Sequence, residues 1–164
     1  MNREATVKTV IVGLGNPLLS DDGVGIRVAR LLAGELAGRH DTTVLELGIG
    51  GLRLMEALQG YQRAILIDAL VGGEAAAGTI QVFAPGPGMT ARHLPSSHDL
   101  DLETALAMGS LLGMSLPEEI SIWGVTAQDV ATFGEDLSPA VAAAVPRVAA
   151  AICRQLTGEE VCAR

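Results

Sequence analysis

Aromatic side chains are nearly missing from this 164-residue chain: two Phe, one Trp and one Tyr, 2% in all. A core built on stacked rings is therefore excluded, and the interior must be filled by Val, Leu, Ile and Ala. Positive charge is also short. Eleven Lys and Arg against nineteen Asp and Glu leave a net charge of −8. Nucleic-acid affinity comes mainly from neutralising phosphates, so a polyanionic partner is disfavoured, and no Lys/Arg stripe offsets this. The acidity favours solubility and a basic or metal-bearing partner. Only two cysteines occur, Cys153 and Cys162. They form neither a disulfide framework nor a metal-type cluster, and a reducing cytoplasm is the expected setting. No uninterrupted apolar run is long enough to span a bilayer, so no membrane insertion is expected. Met1 to Lys8 does not read as a signal peptide.

What is present is an alternation of strand-like and helix-like segments in a chain that is 49% hydrophobic and carries 20 Gly. Val7 to Leu14 reads as a buried strand, short, β-branched and closed by glycine. Asp21 to Leu36 reads as a helix with Val24, Val28 and Leu31 on one face, capped by Ser20 or Asp21. Thr42 to Leu47 is a second strand, ending in the glycine loop GIGG, and Leu52 to Leu58 a short helix. RAILIDAL, Arg63 to Leu70, is a third buried strand with an acid near its end. Thr79 to Ala84 is a fourth. Its short link from the third argues an antiparallel pairing of those two at one edge of the sheet. A helix is expected from His98 to Leu112, then the strand Ile120 to Val125. A last helix is capped by Ser138, opens on Pro139, bends or opens one backbone bond at Pro146, and runs to about Leu156. Together these predict a single α/β domain over 1–164: a mostly parallel twisted sheet of about five strands, one antiparallel edge strand, and helices on both faces. Thr157 to Arg164 is expected to be a loose tail.

Sites in such folds form at the carboxyl ends of the strands. GLGNPLLSDDGVG, Gly13 to Gly25, follows the first. Gly13 and Gly15 start a dinucleotide fingerprint, but Leu18 stands where its third glycine belongs. Asp21 and Asp22 then occupy the helix start, where a phosphate would have to sit and would be repelled. Asp21 reads as an ordinary first-turn acid, worth about 0.3–1 kcal/mol through the helix dipole. Asp22 is followed by Gly23 and, two residues later, Gly25, poor helix formers whose presence implies a close approach to that backbone by a strand or a ligand. Asp68 closes an apolar strand, where a charge must be paired, bound or used to cap a loop. His98 lies in SSHDLDLETAL, where Ser96 and Asp99 read as a capping box. The helix dipole disfavours its cationic form there and helps keep it in the neutral, metal-binding state. His93 competes with it, and His40 reads as solvated. Two carboxylates and one imidazole suit an open divalent-cation site.

The same stretch resembles the N-terminal signature of hydrogenase maturation proteases, G-x-G-N-x-L-x-x-D-[ED]-G-x-G. The likeness continues in ELGIGG, LIDAL, SSHDL and LSPAVAAAVPRV, nearly the whole chain. The resemblance implies an endopeptidase that removes the C-terminal extension of a nickel-loaded [NiFe]-hydrogenase large-subunit precursor. Its nickel-dependent positions fall on Asp22, Asp68 and His98. The first of these is often glutamate in the family, and aspartate shortens the reach by one methylene. Asp22 and Asp68 become the catalytic candidates, and Gly15, Asn16, Gly48 and Gly50 the substrate-binding loops. The Ni2+ is supplied by the substrate, though other divalent cations can occupy the same ligands. It serves either as a recognition element alone or also as a Lewis acid, and either aspartate can be the general base for water. A monomer acting as an enzyme activator in the cytoplasm is the expectation. A G-x-S-x-G nucleophile elbow is absent and both cysteines are remote from these residues, which speaks against a covalent mechanism. Two other readings compete. One is a non-enzymatic nickel-centre chaperone using the same ligands. The other is a peptidyl-tRNA hydrolase, which also opens on GLGNP but then expects a tyrosine and a Thr-Arg-His-Asn run, where LLSDDGVG stands here.

Overall fold

A computed structural model describes residues 7–48, 51–85 and 102–158. Five strands, β1 (Thr9–Leu14), β2 (Thr42–Leu47), β3 (Arg63–Leu70), β4 (Ile80–Phe83) and β5 (Glu119–Thr126), make one sheet in the order β2-β1-β3-β5-β4. Among the described residues four α-helices accompany them: α1 (Val24–Glu35), α2 (Leu52–Leu58), α3 (Leu102–Leu111) and α4 (Pro139–Thr157). β1, β2, β3 and β5 run parallel, and β4 lies antiparallel at the edge.

The aliphatic composition produces two cores, one on each face. Ile11, Ile65, Ile67 and Val125 pack with Val24, Val28 and Leu32 of α1 and with Val141, Ala144, Val148 and Ile152 of α4. On the other face Val10, Val12, Ala64, Leu66 and Ile122 pack with Leu54 and Leu58 of α2 and Leu102 of α3. Successive strand residues alternate between these clusters, as a pleated strand buried on both sides requires. Each fully buried Leu, Ile or Val contributes about 1.5–3 kcal/mol.

β4 departs from the expectation. It is the antiparallel edge strand, but it pairs with β5 rather than with β3. The link across 71–79 is long enough to cross two strand spacings, about 9.6 Å, and β5 fills the place beside β3 in parallel register. The first helix also starts later than expected. Ser20–Gly23 form a 3-10 turn, Gly23 is the N-cap of α1, and neither Ser20 nor Asp21 caps it. Ser138 does stand at the N-cap of α4, yet its hydroxyl makes no capping bond. α4 continues unbroken through Pro146, and its Thr157 extends one residue past the expected end.

Glycine decides how closely α1 sits on the sheet. A Cβ on Gly25 would strike the carbonyl oxygens of Ile67 and Leu14, and one on Gly13 would strike the carbonyl of Gly25. The close approach implied by the glycines around Asp22 is therefore to β1 and β3 at Gly25 and to the Asn16–Pro17 loop at Gly23. Gly34, exposed on the same helix, has nothing within 4 Å of an added Cβ. Two alanine substitutions in α1 are thus expected to have opposite signs. Gly34→Ala should stabilise by about 0.5–1 kcal/mol by removing backbone freedom from the unfolded chain. Gly25→Ala should destabilise by about 3 kcal/mol or more by forcing α1 off β1 and β3. Urea unfolding of the two variants checks both.

Candidate active site

The strand order places a topological switch point between β1 and β3. The chain leaves β1 through α1 on one face for β2, and returns from β2 through α2 on the other face to β3. At such a point the connections diverge and leave a crevice at the carboxyl ends of the strands. Both aspartates singled out in the sequence lie at this end of the sheet, Asp22 in the turn after β1 and Asp68 near the end of β3.

Asp68 is 1% exposed. It shares a sheet face with Leu66 and Leu70 by strand alternation, the face covered by α2 and α3. Gly13 pairs with Ile67, so Asp68 stands one step further on, level with the end of β1. One carboxylate oxygen accepts the Ala69 N–H at 2.8 Å. Asp22 is fully buried in the 3-10 turn after β1, and that turn packs against β3. Its Oδ2 accepts the Asn16 N–H at 2.8 Å. Gly15, at φ +131°, has the Asp22 carbonyl where a Cβ would stand, with the carboxylate 3.8 Å from that point. No side chain other than hydrogen fits at Gly15.

The remaining loop residues extend this edge. The Asn16 side chain accepts the Leu18 N–H at 2.9 Å, closing the loop locally. Gly15 N–H donates to the Leu47 carbonyl at 3.2 Å, and a Cβ on Gly48 would lie 3.9 Å from the Gly15 carbonyl. The GLGN and ELG segments are therefore side by side at the carboxyl ends of β1 and β2. His98 and Gly50 lie outside the described residues, as do His93, the Ser96–Asp99 capping box and the start of the helix expected from His98. Among the described residues, no group of three or more His, Cys, Asp or Glu could hold a metal ion. His40 lies beside Lys8, Asp41 and Tyr61, at the opposite, amino-terminal end of the sheet.

Asp21 has a role that sequence alone did not reveal. It is fully buried, and its carboxylate accepts four hydrogen bonds. Oδ1 takes the Ser138 N–H at 2.6 Å. Oδ2 takes the Ser138 hydroxyl at 2.9 Å, the Gln128 N–H at 2.9 Å and the Asp129 N–H at 3.1 Å. The Asp21 N–H in turn donates to the Asp129 carbonyl at 2.9 Å. One acid therefore fastens the turn after β1 to both ends of the loop joining β5 to α4, and it explains why the Ser138 hydroxyl does not cap α4. Asp129 shapes that loop as well. Its Oδ1 accepts the Ala131 and Thr132 N–H groups. Bonding to the Thr132 side chain first, and to the Thr132 and Ala131 amides next, holds its carboxyl below the usual range. The tandem Asp-Asp gave no hint of this division of labour, because the partners of Asp21 lie more than a hundred residues away.

Of the two cysteines, Cys153 lies far from this edge, and Cys162 lies outside the described residues. Cys153 is on α4 against Glu35, at the far end of α1. Burial, followed by the Glu35 carboxylate, pushes its thiol above the ordinary value, which is the wrong direction for a nucleophile.

The fold is a doubly wound α/β sheet with buried carboxylates at the carboxyl ends of β1 and β3, the place where sites of such folds form. Comparison with known proteins specifies it further. A family model described as hydrogenase maturation protease matches residues 26–155, a stretch that takes in Asp68 and His98 and begins four residues after Asp22. Hydrogenase expression/formation protein HupD of Rhizobium leguminosarum bv. viciae is 26% identical over 141 residues, covering 85% of this chain and 69% of the relative. Hydrogenase 2 maturation protease of Escherichia coli K12 is 25% identical over 121 residues, 73% of each. The solved structure of the hydrogenase maturating endopeptidase HybD from E. coli superposes with a TM-score of 0.73 over 92% of this chain and 93% of that one, at 21% identity, which shows the shared fold. The chain belongs to the hydrogenase maturation protease family. It is accordingly an endopeptidase, a hydrolase acting on peptide bonds, and this decides against both the non-enzymatic chaperone and the peptidyl-tRNA hydrolase.

The clamp around Asp21 predicts a large stability effect from a small change. Asp21→Asn turns an all-acceptor group into one that points N–H donors at N–H donors. It should cost about 2–4 kcal/mol. Amide hydrogen exchange should accelerate most at Gln128, Asp129 and Ser138, which thermal unfolding with exchange mass spectrometry can read.

Proposed function

We propose that the protein removes the C-terminal extension of a [NiFe]-hydrogenase large-subunit precursor after nickel has been inserted, with Asp22 and Asp68 at the centre of the reaction. The observation that carries this reading is the burial of two carboxylates at one switch-point crevice in a member of this protease family. A buried carboxylate is costly unless it is satisfied or used. Here one such group comes from the loop after β1 and the other from β3, whose strands are neighbours.

The precursor brings the nickel as part of the substrate. Asp22 and Asp68 are hard oxygen donors and His98, from the SSHDL segment, is a nitrogen donor. Three such groups suit a divalent cation that keeps other positions for its own protein. Gly15, Asn16 and Gly48, side by side at the carboxyl ends of β1 and β2, are the segments we assign to contact with the extended peptide, together with Gly50, which lies outside the described residues. One aspartate orients and deprotonates the attacking water, and the departing amine takes up a proton as the peptide bond breaks. The nickel centre certifies that the precursor is loaded, and where it lies near the scissile carbonyl it adds polarisation. No helix among the described residues is long and apolar enough to cross a membrane. We place the reaction in the cytoplasm and assign the protein as a monomer that activates its hydrogenase by processing.

Incubation of the purified protein with nickel-loaded and nickel-free precursor tests this directly. A shortened large subunit should appear with nickel only. Asp68→Asn and Asp22→Asn, which remove charge at nearly constant shape, should each lower the cleavage rate by about 100-fold or more while the circular dichroism spectrum keeps its native form. Undiminished cutting by either variant would remove that residue from the mechanism.

A further inference from the structure

The loop between β5 and α4 is fixed far more firmly than a solvent-facing connection needs to be. Besides the Asp21 bonds, a parallel bridge pairs Leu19 with Gly134. Gly134 N–H donates to the Leu18 carbonyl at 2.9 Å, and Ser20 N–H donates to the Gly134 carbonyl at 2.8 Å. The Ser20 hydroxyl reaches the Asp136 carbonyl at 3.0 Å, and the Arg27 guanidinium donates to the Glu135 carbonyl at 2.6 Å. Ser20 is the one non-glycine residue with positive φ among the described residues, at +50°. Such a conformation persists only where its surroundings over-determine it.

These bonds present two large apolar side chains to solvent. Phe133 is 84% exposed and Leu18 is 50% exposed. One step back from the Leu19–Gly134 bridge sets them opposite each other on the parallel pair. In a chain with two Phe in 164 residues, placing one outside the core forgoes scarce burial. Glu135 and Asp136 follow it, both exposed. The patch adjoins the loop that carries candidate site residues, because Leu18 lies between Asn16 and Asp22 on the same short segment.

We propose that Phe133, with Leu18 beside it, is a preformed anchor for the folded body of the polypeptide substrate, inserting into an apolar pocket ringed by Lys or Arg on the precursor. The inference rests on the proposed precursor-processing reading. Rigidity lowers the ordering cost of binding, and an exposed aromatic on a fixed loop is the kind of residue that dominates protein recognition. The acidic flank favours a basic surface around the receiving pocket. The role is in docking, so it acts before the chemical step.

The test measures precursor binding and single-turnover cleavage separately, for wild type, Phe133→Ala and Phe133→Leu, with nickel-loaded precursor. Phe133→Ala should weaken binding by about tenfold and leave cleavage at saturating enzyme unchanged. Phe133→Leu should recover part of the affinity. The melting temperature of both should match wild type, since the side chain packs on little of its own protein. Added salt should weaken wild-type binding. Unchanged affinity in Phe133→Ala would overturn the proposal, and so would a slower saturated rate with intact binding. Wild-type protein that binds the precursor through Phe133 without shortening it would instead remove the processing reading and leave the docking role standing.

Discussion

Everything at the carboxyl edge of this sheet depends on how the 3-10 turn after β1 divides two consecutive aspartates. Adjacent residues in such a turn project about 120° apart. Asp21 is turned toward the β5–α4 loop, where four hydrogen bonds from Ser138, Gln128 and Asp129 fix it. Asp22 is thereby turned the other way, onto the Gly15–Asn16 segment. The buried carboxylate of Asp21 does structural work so that its neighbour can be held, equally buried, at the crevice. Its N–H and O–H partners come from both ends of the β5–α4 loop, and one of them, Ser138, stands at the start of α4.

A second constraint sits behind the first. α1 lies so close to the sheet that only glycine is possible at 13 and 25. This contact brings the 3-10 turn against β3 and so brings the Asp22 segment to the strand that carries Asp68. The two aspartates are 46 positions apart in sequence, yet parallel pairing of β1 with β3 and the tight seat of α1 bring the segments that carry them to the carboxyl ends of neighbouring strands. The tightness is bought by glycine's absent side chain.

Much of this was legible in the sequence, and the exceptions have physical causes. β2, α2 and β3 fall on their expected bounds, Thr42–Leu47, Leu52–Leu58 and Arg63–Leu70. Glycine punctuates each of those apolar runs, and RAILIDAL needs burial on both faces. The partner of β4 was not legible, since a short link is compatible with either neighbouring position and only the parallel demand of β5 decides. The cap of α1 was misplaced because Ser and Asp at a helix start serve equally well in a 3-10 turn. Asp22 and Asp68 could be singled out, as a charge after an apolar strand is conspicuous. The role of Asp21 could not, because a first-turn acid that meets solvent and one that receives four bonds from residues 128–138 look alike in sequence. Phe133 was equally silent, since exposure is a property of the fold.

The account stands or falls on Asp22 and Asp68 facing one shared space together with His98. An anomalous-scattering map from crystals soaked in a nickel or cadmium salt examines that most directly. A single strong peak should lie within coordination distance of oxygen atoms of both aspartates and of a ring nitrogen of His98. Density bound to only one of the three, or a well-ordered structure in which Asp22 and Asp68 are too far apart to touch one ion, would contradict it.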